Sequence, residues 1–185
     1  MFIRTPNLFL RPVFAEDWRA VYCGIADQRI TSMLASAPWP YRPEDAQALC
    51  RRPVAKGAMR FAITLPEVEN CPLVGMIGVD IAGKHGAAHE LGYWIARAWQ
   101  GRGIASEAVA GVIEIARAIG LARIDAGHFL DNPVSGHVLR RAGFVETGEV
   151  RPTPCAGRGG QIVLARRYAL SLGEAQNAAT GLEAA

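Results

Sequence analysis

The stretch Glu90-Leu91-Gly92-Tyr93-Trp94-Ile95-Ala96-Arg97-Ala98-Trp99-Gln100-Gly101-Arg102-Gly103-Ile104-Ala105-Ser106-Glu107-Ala108 decides how this chain folds. Glu90 to Ala96 reads as a strand. From Gly103 to about Gly120 the period becomes helical, with Ile104, Ala108, Val112, Ile115 and Ile119 on one face and Glu107, Glu114 and Arg117 elsewhere. Gly120 is a natural stop. A strand therefore feeds a glycine-bearing turn that opens a long helix. Such a turn aims several backbone N–H groups at one point, and the helix start adds its unpaired donors and the positive end of its dipole. An anion site for a diphosphate is expected at Gln100, Gly101, Arg102, Gly103, Ile104, Ala105 and Ser106. A tight connection without any ligand has the same pattern. No Gly-Lys-Ser/Thr follows, and no Gly-x-Gly-x-x-Gly with a downstream acid, so neither a nucleotide-triphosphate loop nor a dinucleotide site is indicated.

Upstream, Leu8 to Val13 reads as a strand closed by Pro12, helical stretches are expected from Ala15 to about Cys23 and from Gln28 to Leu34, and Glu44-Asp45 after Pro43 suit the start of another helix. The proline-rich loop 37–43 carries Trp39 and Tyr41, which either line an acceptor pocket or cover the core. Arg60 to Leu65, Leu73 to Ile81 and Glu90 to Ala96 form a meander separated by turn-rich Pro66 to Pro72 and Gly83 to Ala87. Downstream come a strand at Arg123 to Phe129, a helix opened by Asn132-Pro133 and ended by Gly143, and strands at Phe144 to Val150 and Ile162 to Leu170. Residues 1–172 are expected to form one domain, with the Ala-rich 173–185 as a fraying tail.

The bulk composition narrows the function. In 185 residues, 50% are hydrophobic and 20% charged, enough for one well-supplied core. A net charge of +3 is too small and too scattered to gather nucleic acid. Cys23, Cys50, Cys71 and Cys155 stand apart, without the spacing of a zinc site or a disulfide framework, and suit reduced thiols. No secretory leader and no window of about eighteen apolar residues is present, so a cytoplasmic protein without a membrane partner is expected.

The turn resembles the acyl-CoA signature of the GNAT acetyltransferases, Gln/Arg-x-x-Gly-x-Gly/Ala, filled here by Gln100, Gly103 and Ala105. Asn7-Leu8-Phe9-Leu10-Arg11-Pro12, Glu90-Leu91-Gly92-Tyr93-Trp94-Ile95 and Asn132-x-x-Ser135-x-x-Val138-Leu139-Arg140-Arg141-Ala142-Gly143-Phe144 resemble the RimJ/RimL-type branch, over about Thr5 to Leu170. The resemblance implies an α/β (α+β) fold: a single GNAT-like domain with a mixed, mostly antiparallel twisted sheet of about six or seven strands flanked by helices. In that fold a splayed pair of central strands holds acetyl-CoA. Pantetheine would bond main chain at Trp94, Ile95 and Ala96, the turn would hold the pyrophosphate, and Asn132 and Arg141 would contact the CoA arm. The implied reaction is acetyl transfer to a primary amine, either a protein N-terminus or a small molecule, by direct attack in a ternary complex and without a metal. A non-catalytic acyl-CoA sensor on the same fold is the rival reading. The expected quaternary state is a monomer or homodimer.

An acceptor amine is protonated near neutral pH, with a reference pKa of about 7.7–8.0 for an α-amino group and about 10.4 for lysine, so a proton must leave before attack. By resemblance to the histone-acetyltransferase branch Glu90 stands where the base is, and Ser135 stands where family members place the group that protonates the departing thiolate; the alternatives are a glutamate that only orders a strand edge and a plain surface serine. The oxyanion would meet a main-chain N–H at a bulge at Trp94. The glutamate that the RimL-type enzyme carries downstream of its Gly-Phe pair falls here at Pro154, so that base does not transfer. His128 is a substitute base or a structural histidine, and Cys155 has no partner suited to a covalent acyl carrier.

Overall fold

Successive side chains of a strand point to opposite faces, and this chain uses that alternation to build one sheet with helices on both sides. The computed structural model describes residues 1–82 and 88–173. Its strands are β1 (Ile3–Arg4), β2 (Phe9–Pro12), β3 (Met59–Thr64), β4 (Leu73–Ala82), β5 (Ala88–Ile95), β6 (Arg123–Phe129), β7 (Val145–Cys155) and β8 (Gln161–Ser171), and its helices are α1 (Trp18–Ile25), α2 (Gln28–Thr31), α3 (Pro43–Arg51), α4 (Ile104–Ala118) and α5 (Pro133–Arg141). The strands lie in the order β1-β2-β3-β4-β5-β6-β8-β7. Eight strands replace the six or seven expected, because the two-residue β1 pairs with β2. The turn expected at Gly83 to Ala87 and the tail from 174 onward lie outside the described residues.

Leu91 and Ile95 of β5 face one side, where they join Ile77 and Val79 of β4, Ile104, Val109 and Val112 of α4 and Leu139 of α5. Trp94 faces the other side with Met76, Val21 and Ile25 of α1, and Ala46 and Cys50 of α3. Each fully buried aliphatic side chain is worth about 1.5–3 kcal/mol relative to exposure. The buried stripe of α4 runs through Ala108, Val109, Val112, Ile113 and Ala116. Ile119, expected on that stripe, is 44% exposed, since it is the C-cap where the chain leaves the sheet. β7 continues past Val150 to Cys155 through Pro152 and Pro154, which the outermost strand tolerates because its outer edge needs no N–H donors.

The junction of β5 and β6 positions the site. All other neighbours in the sheet are antiparallel; these two are parallel, as the crossover through α4 requires. They pair only at Glu90 with Asp125 and Leu91 with Ala126. Beyond that point β5 stays on β4 as far as Ile95 and β6 stays on β8 as far as Phe129, so the sheet opens into a gap.

Candidate active site

The glycine turn lies at the end of β5. Gly101 and Gly103 have φ of 75° and 78°, the left-handed region that favours glycine. A Cβ placed on either would meet nothing within 4 Å, so the space over both is open. The Gln100 amide donates to the Ile95 carbonyl at 2.9 Å and ties the turn to the strand. Arg102 folds back over the Trp99 ring at 4.7 Å and donates to the Ala98 carbonyl. Glu107 N–H bonds the Gly103 carbonyl, so the amides of Ile104, Ala105 and Ser106 start the helix without intrahelical acceptors. An open, glycine-walled space facing free amides fits a diphosphate.

Ala96 N–H donates to the Val74 carbonyl at 2.8 Å. Alternate residues of an antiparallel ladder bond the same neighbour, and the β4–β5 register is unbroken from Gly75 and Ile95 to Ala82 and Ala88. Trp94 therefore directs its main chain to β4, and the expected bulge there is absent. The main-chain groups of Tyr93 and Ile95 are the ones that face the gap. Tyr93 also holds the next element, its hydroxyl donating to the Ser135 carbonyl at 3.4 Å.

Asn132 stands at the N-cap of α5, yet its side chain caps no backbone N–H. Its Nδ2 instead donates to Ser135 Oγ at 3.1 Å. A serine hydroxyl has two lone pairs and one proton, so this contact occupies an acceptor position and leaves the O–H to donate elsewhere. Arg141 is the exposed last residue of α5, about 12 Å along the axis from its first.

Glu90 and Ser135 belong to opposite faces of the sheet. Ser135 is on the α4 and α5 side, beside Tyr93; Glu90 shares the face of Trp94, one residue before the last paired position, Leu91, at which the gap begins. A partner escaped the sequence reading: Arg167 of β8 donates from Nη1 to Glu90 Oε1 at 2.7 Å. The signal was present, since Arg167 alternates with the buried Tyr168 and so faces the Glu90 side, but the neighbour relation of β6 and β8 is tertiary. His128 is buried beneath α5, its Nδ1 on the Phe129 carbonyl at 2.8 Å and its Nε2 on the Tyr168 hydroxyl at 3.2 Å. That location, on the face away from Glu90, makes it a packing histidine. Cys155 is fully buried, its thiol donating to the Ser32 and Leu34 carbonyls. Tyr41 is in the core at 6% exposure, whereas Trp39 is 40% exposed.

The profile of the Acetyltransferase (GNAT) domain family matches residues 7–145. The chain belongs to this family. As a GNAT protein it is an acetyltransferase that takes acetyl-CoA as its acyl donor, and the residues at the turn and the gap fit that donor. It is 27% identical over 149 residues to the uncharacterized N-acetyltransferase YnaD of Bacillus subtilis (strain 168), covering 80% of this chain and 85% of YnaD. The fold is similar to that of a GNAT-family acetyltransferase from Bacillus anthracis, with a TM-score of 0.77 and 23% identity over 93% of this chain and 99% of that one. It is also similar to RimL, the ribosomal L7/L12 alpha-N-protein acetyltransferase solved with coenzyme A, with a TM-score of 0.72 and 18% identity over 92% of this chain and 98% of RimL.

Proposed function

We propose that this GNAT protein acetylates a primary amine by direct attack within a ternary complex, Glu90 serving the amine from one face of the gap and Ser135 serving the sulfur from the other. The observation that carries the reading is the opening of β5 from β6 beyond Leu91, one residue past Glu90 and beside the α5 helix start that presents Ser135. Bound acetyl-CoA supplies an acetyl group activated as a thioester. The amides of Ile104, Ala105 and Ser106 hold its diphosphate, and the main chain of Tyr93 and Ile95 orients its arm along the gap. In this reading one of those two N–H groups receives the negative charge that develops on the acyl oxygen.

Glu90 takes the proton that the ammonium must lose, once Arg167 has yielded or shared the carboxylate. Ser135 gives its free O–H proton to the sulfur. The positive end of α5 favours negative charge on that sulfur as it departs. The test is thiol release from acetyl-CoA with a panel of small amines and N-terminal peptides. Release above the hydrolysis blank with at least one acceptor is expected, and a flat response to all of them, from protein that binds acetyl-CoA, removes this reading in favour of a non-catalytic acyl-CoA sensor.

A further inference from the structure

The face that carries Glu90 has carboxylates on three neighbouring strands in register: Asp80 of β4 stands opposite Glu90, and Glu90 opposite Asp125 of β6. A bare row of this kind would attract a polycation. This one is matched by guanidinium groups. Arg60 lies 3.8 Å from Asp80, Arg123 2.7 Å from Asp125 and Arg167 2.7 Å from Glu90. Arg151 is 2.9 Å from Glu149, whose hydrogen bond and charge, followed by the charges of Glu90 and Asp125, hold it above the ordinary arginine value. Among the described residues each carboxylate in this group has an arginine partner, so the surface has no surplus charge with which to select a cation.

Of these pairs, Glu90 and Arg167 stand at the mouth of the gap, with side chains 37% and 12% exposed. The guanidinium lies across Gly127, where an added Cβ would come within 2.5 Å of Nη1. Beside it, the space over Gly92 is open. Nη1 is used by Glu90, and among the described residues Nε and Nη2 make no hydrogen bond. An open floor is thus bordered by a carboxylate and by a guanidinium with donors to spare.

We infer that the acceptor is a small zwitterion, an α- or β-amino acid, whose ammonium goes to Glu90 and whose carboxylate goes to Arg167. This rests on the reading of Glu90 as the group that serves the amine. A purely cationic amine that captures Glu90 strands the Arg167 guanidinium, whose side chain is only 12% exposed, beside a second cation, and leaving such a poorly solvated charge without its partner is costly. A zwitterion exchanges partners with the pair and strands no charge. Arginine's planar fork suits a carboxylate in particular. Because the two groups are 2.7 Å apart, the acceptor's charges must also be close, which disfavours a long polyamine. A residue within a peptide offers only a carbonyl where the carboxylate is wanted.

The experiment measures thiol release with each common α-amino acid and β-alanine beside the corresponding amides, with short peptides, and with spermidine. The best amino acid is expected to exceed its amide in kcat/KM by at least about tenfold, or ~1.4 kcal/mol. Arg167→Gln should bring that ratio close to one through KM, while acetyl-CoA affinity by calorimetry stays unchanged and Arg167→Lys keeps part of the preference. A wild-type enzyme that uses the amide, a peptide or spermidine as well as the acid overturns the zwitterion and leaves amine acetylation standing. So does an Arg167→Gln enzyme that keeps the full ratio. Absence of release with every amine sinks both. The wild-type comparison stands by itself if Arg167→Gln fails to fold.

Discussion

Gly103 shows how one residue ties conformation to binding. With φ of 78° at the N-cap of α4 and open space where a side chain would go, it is suited to a close approach of phosphate to backbone. Gly103→Val adds backbone strain and fills that space. Acetyl-CoA affinity by calorimetry is expected to fall at least about tenfold, ~1.4 kcal/mol, with the circular dichroism spectrum unchanged; equal affinity would move the diphosphate elsewhere. The proton carriers are tested by pH profiles of kcat/KM. Glu90→Gln should lose most on the acidic side, where the amine is protonated, and recover in part at higher pH, whereas Ser135→Ala should lose a constant factor. Losses under about threefold in both, roughly 0.6 kcal/mol, would assign proton transfer to ordered water. The resemblance singled out Glu90, Ser135 and Asn132 in the sequence because each sits inside a local motif. Arg167 has no motif around it, and its role comes from a residue 77 positions away, two strands over in the sheet with β6 between them.

At the scale of elements, the N-terminal hairpin is clasped to α4 through Glu107. The Glu107 carboxylate accepts from Thr5 Oγ1 at 2.6 Å, Asn7 N–H at 2.7 Å and Asn7 Nδ2 at 3.0 Å. Burial alone would raise its pKa, but these donors hold it below the ordinary glutamate value. A folded value below the unfolded one means that the stabilisation is fully present above the unfolded pKa of about 4.3 and is lost as pH falls through the folded value. Glu107→Gln is therefore expected to lower the urea midpoint clearly at pH 7, with the difference from wild type shrinking as pH drops below that range. A difference that is the same at pH 7 and pH 3 would mean that the carboxylate charge contributes nothing to the clasp. The helical period revealed α4 itself, but the clasp joins residues about 100 positions apart in sequence, where no periodicity reaches.

Over the whole molecule, the turn between β7 and β8 docks on the loop after α2. Ala156 N–H donates to the Ala35 carbonyl at 2.9 Å and Arg158 Nε to the Ser32 carbonyl at 2.8 Å. Gly157 lies so close that a Cβ would sit 2.1 Å from the Thr31 carbonyl oxygen, a backbone atom that cannot swing away. Gly157→Ala should cost about 1–3 kcal/mol, as overpacking does, and lower Tm by about 2–4 °C per kcal/mol; an unchanged melting curve would show that this junction yields freely. The strands other than β1, the helices, the glycine turn and the family to which they belong were legible in the sequence, because each depends on residues within a few positions of one another. Hydrophobic period, turn chemistry and helix caps are local, and the chain states them directly. The tertiary structure alone decided that β8 inserts between β6 and β7, that Arg167 consequently meets Glu90, that His128 is sealed under α5, and that Trp94 turns its main chain away from the gap. Those outcomes depend on which strands become neighbours and in what register, and one residue of shift would send every side chain of a strand to the other face.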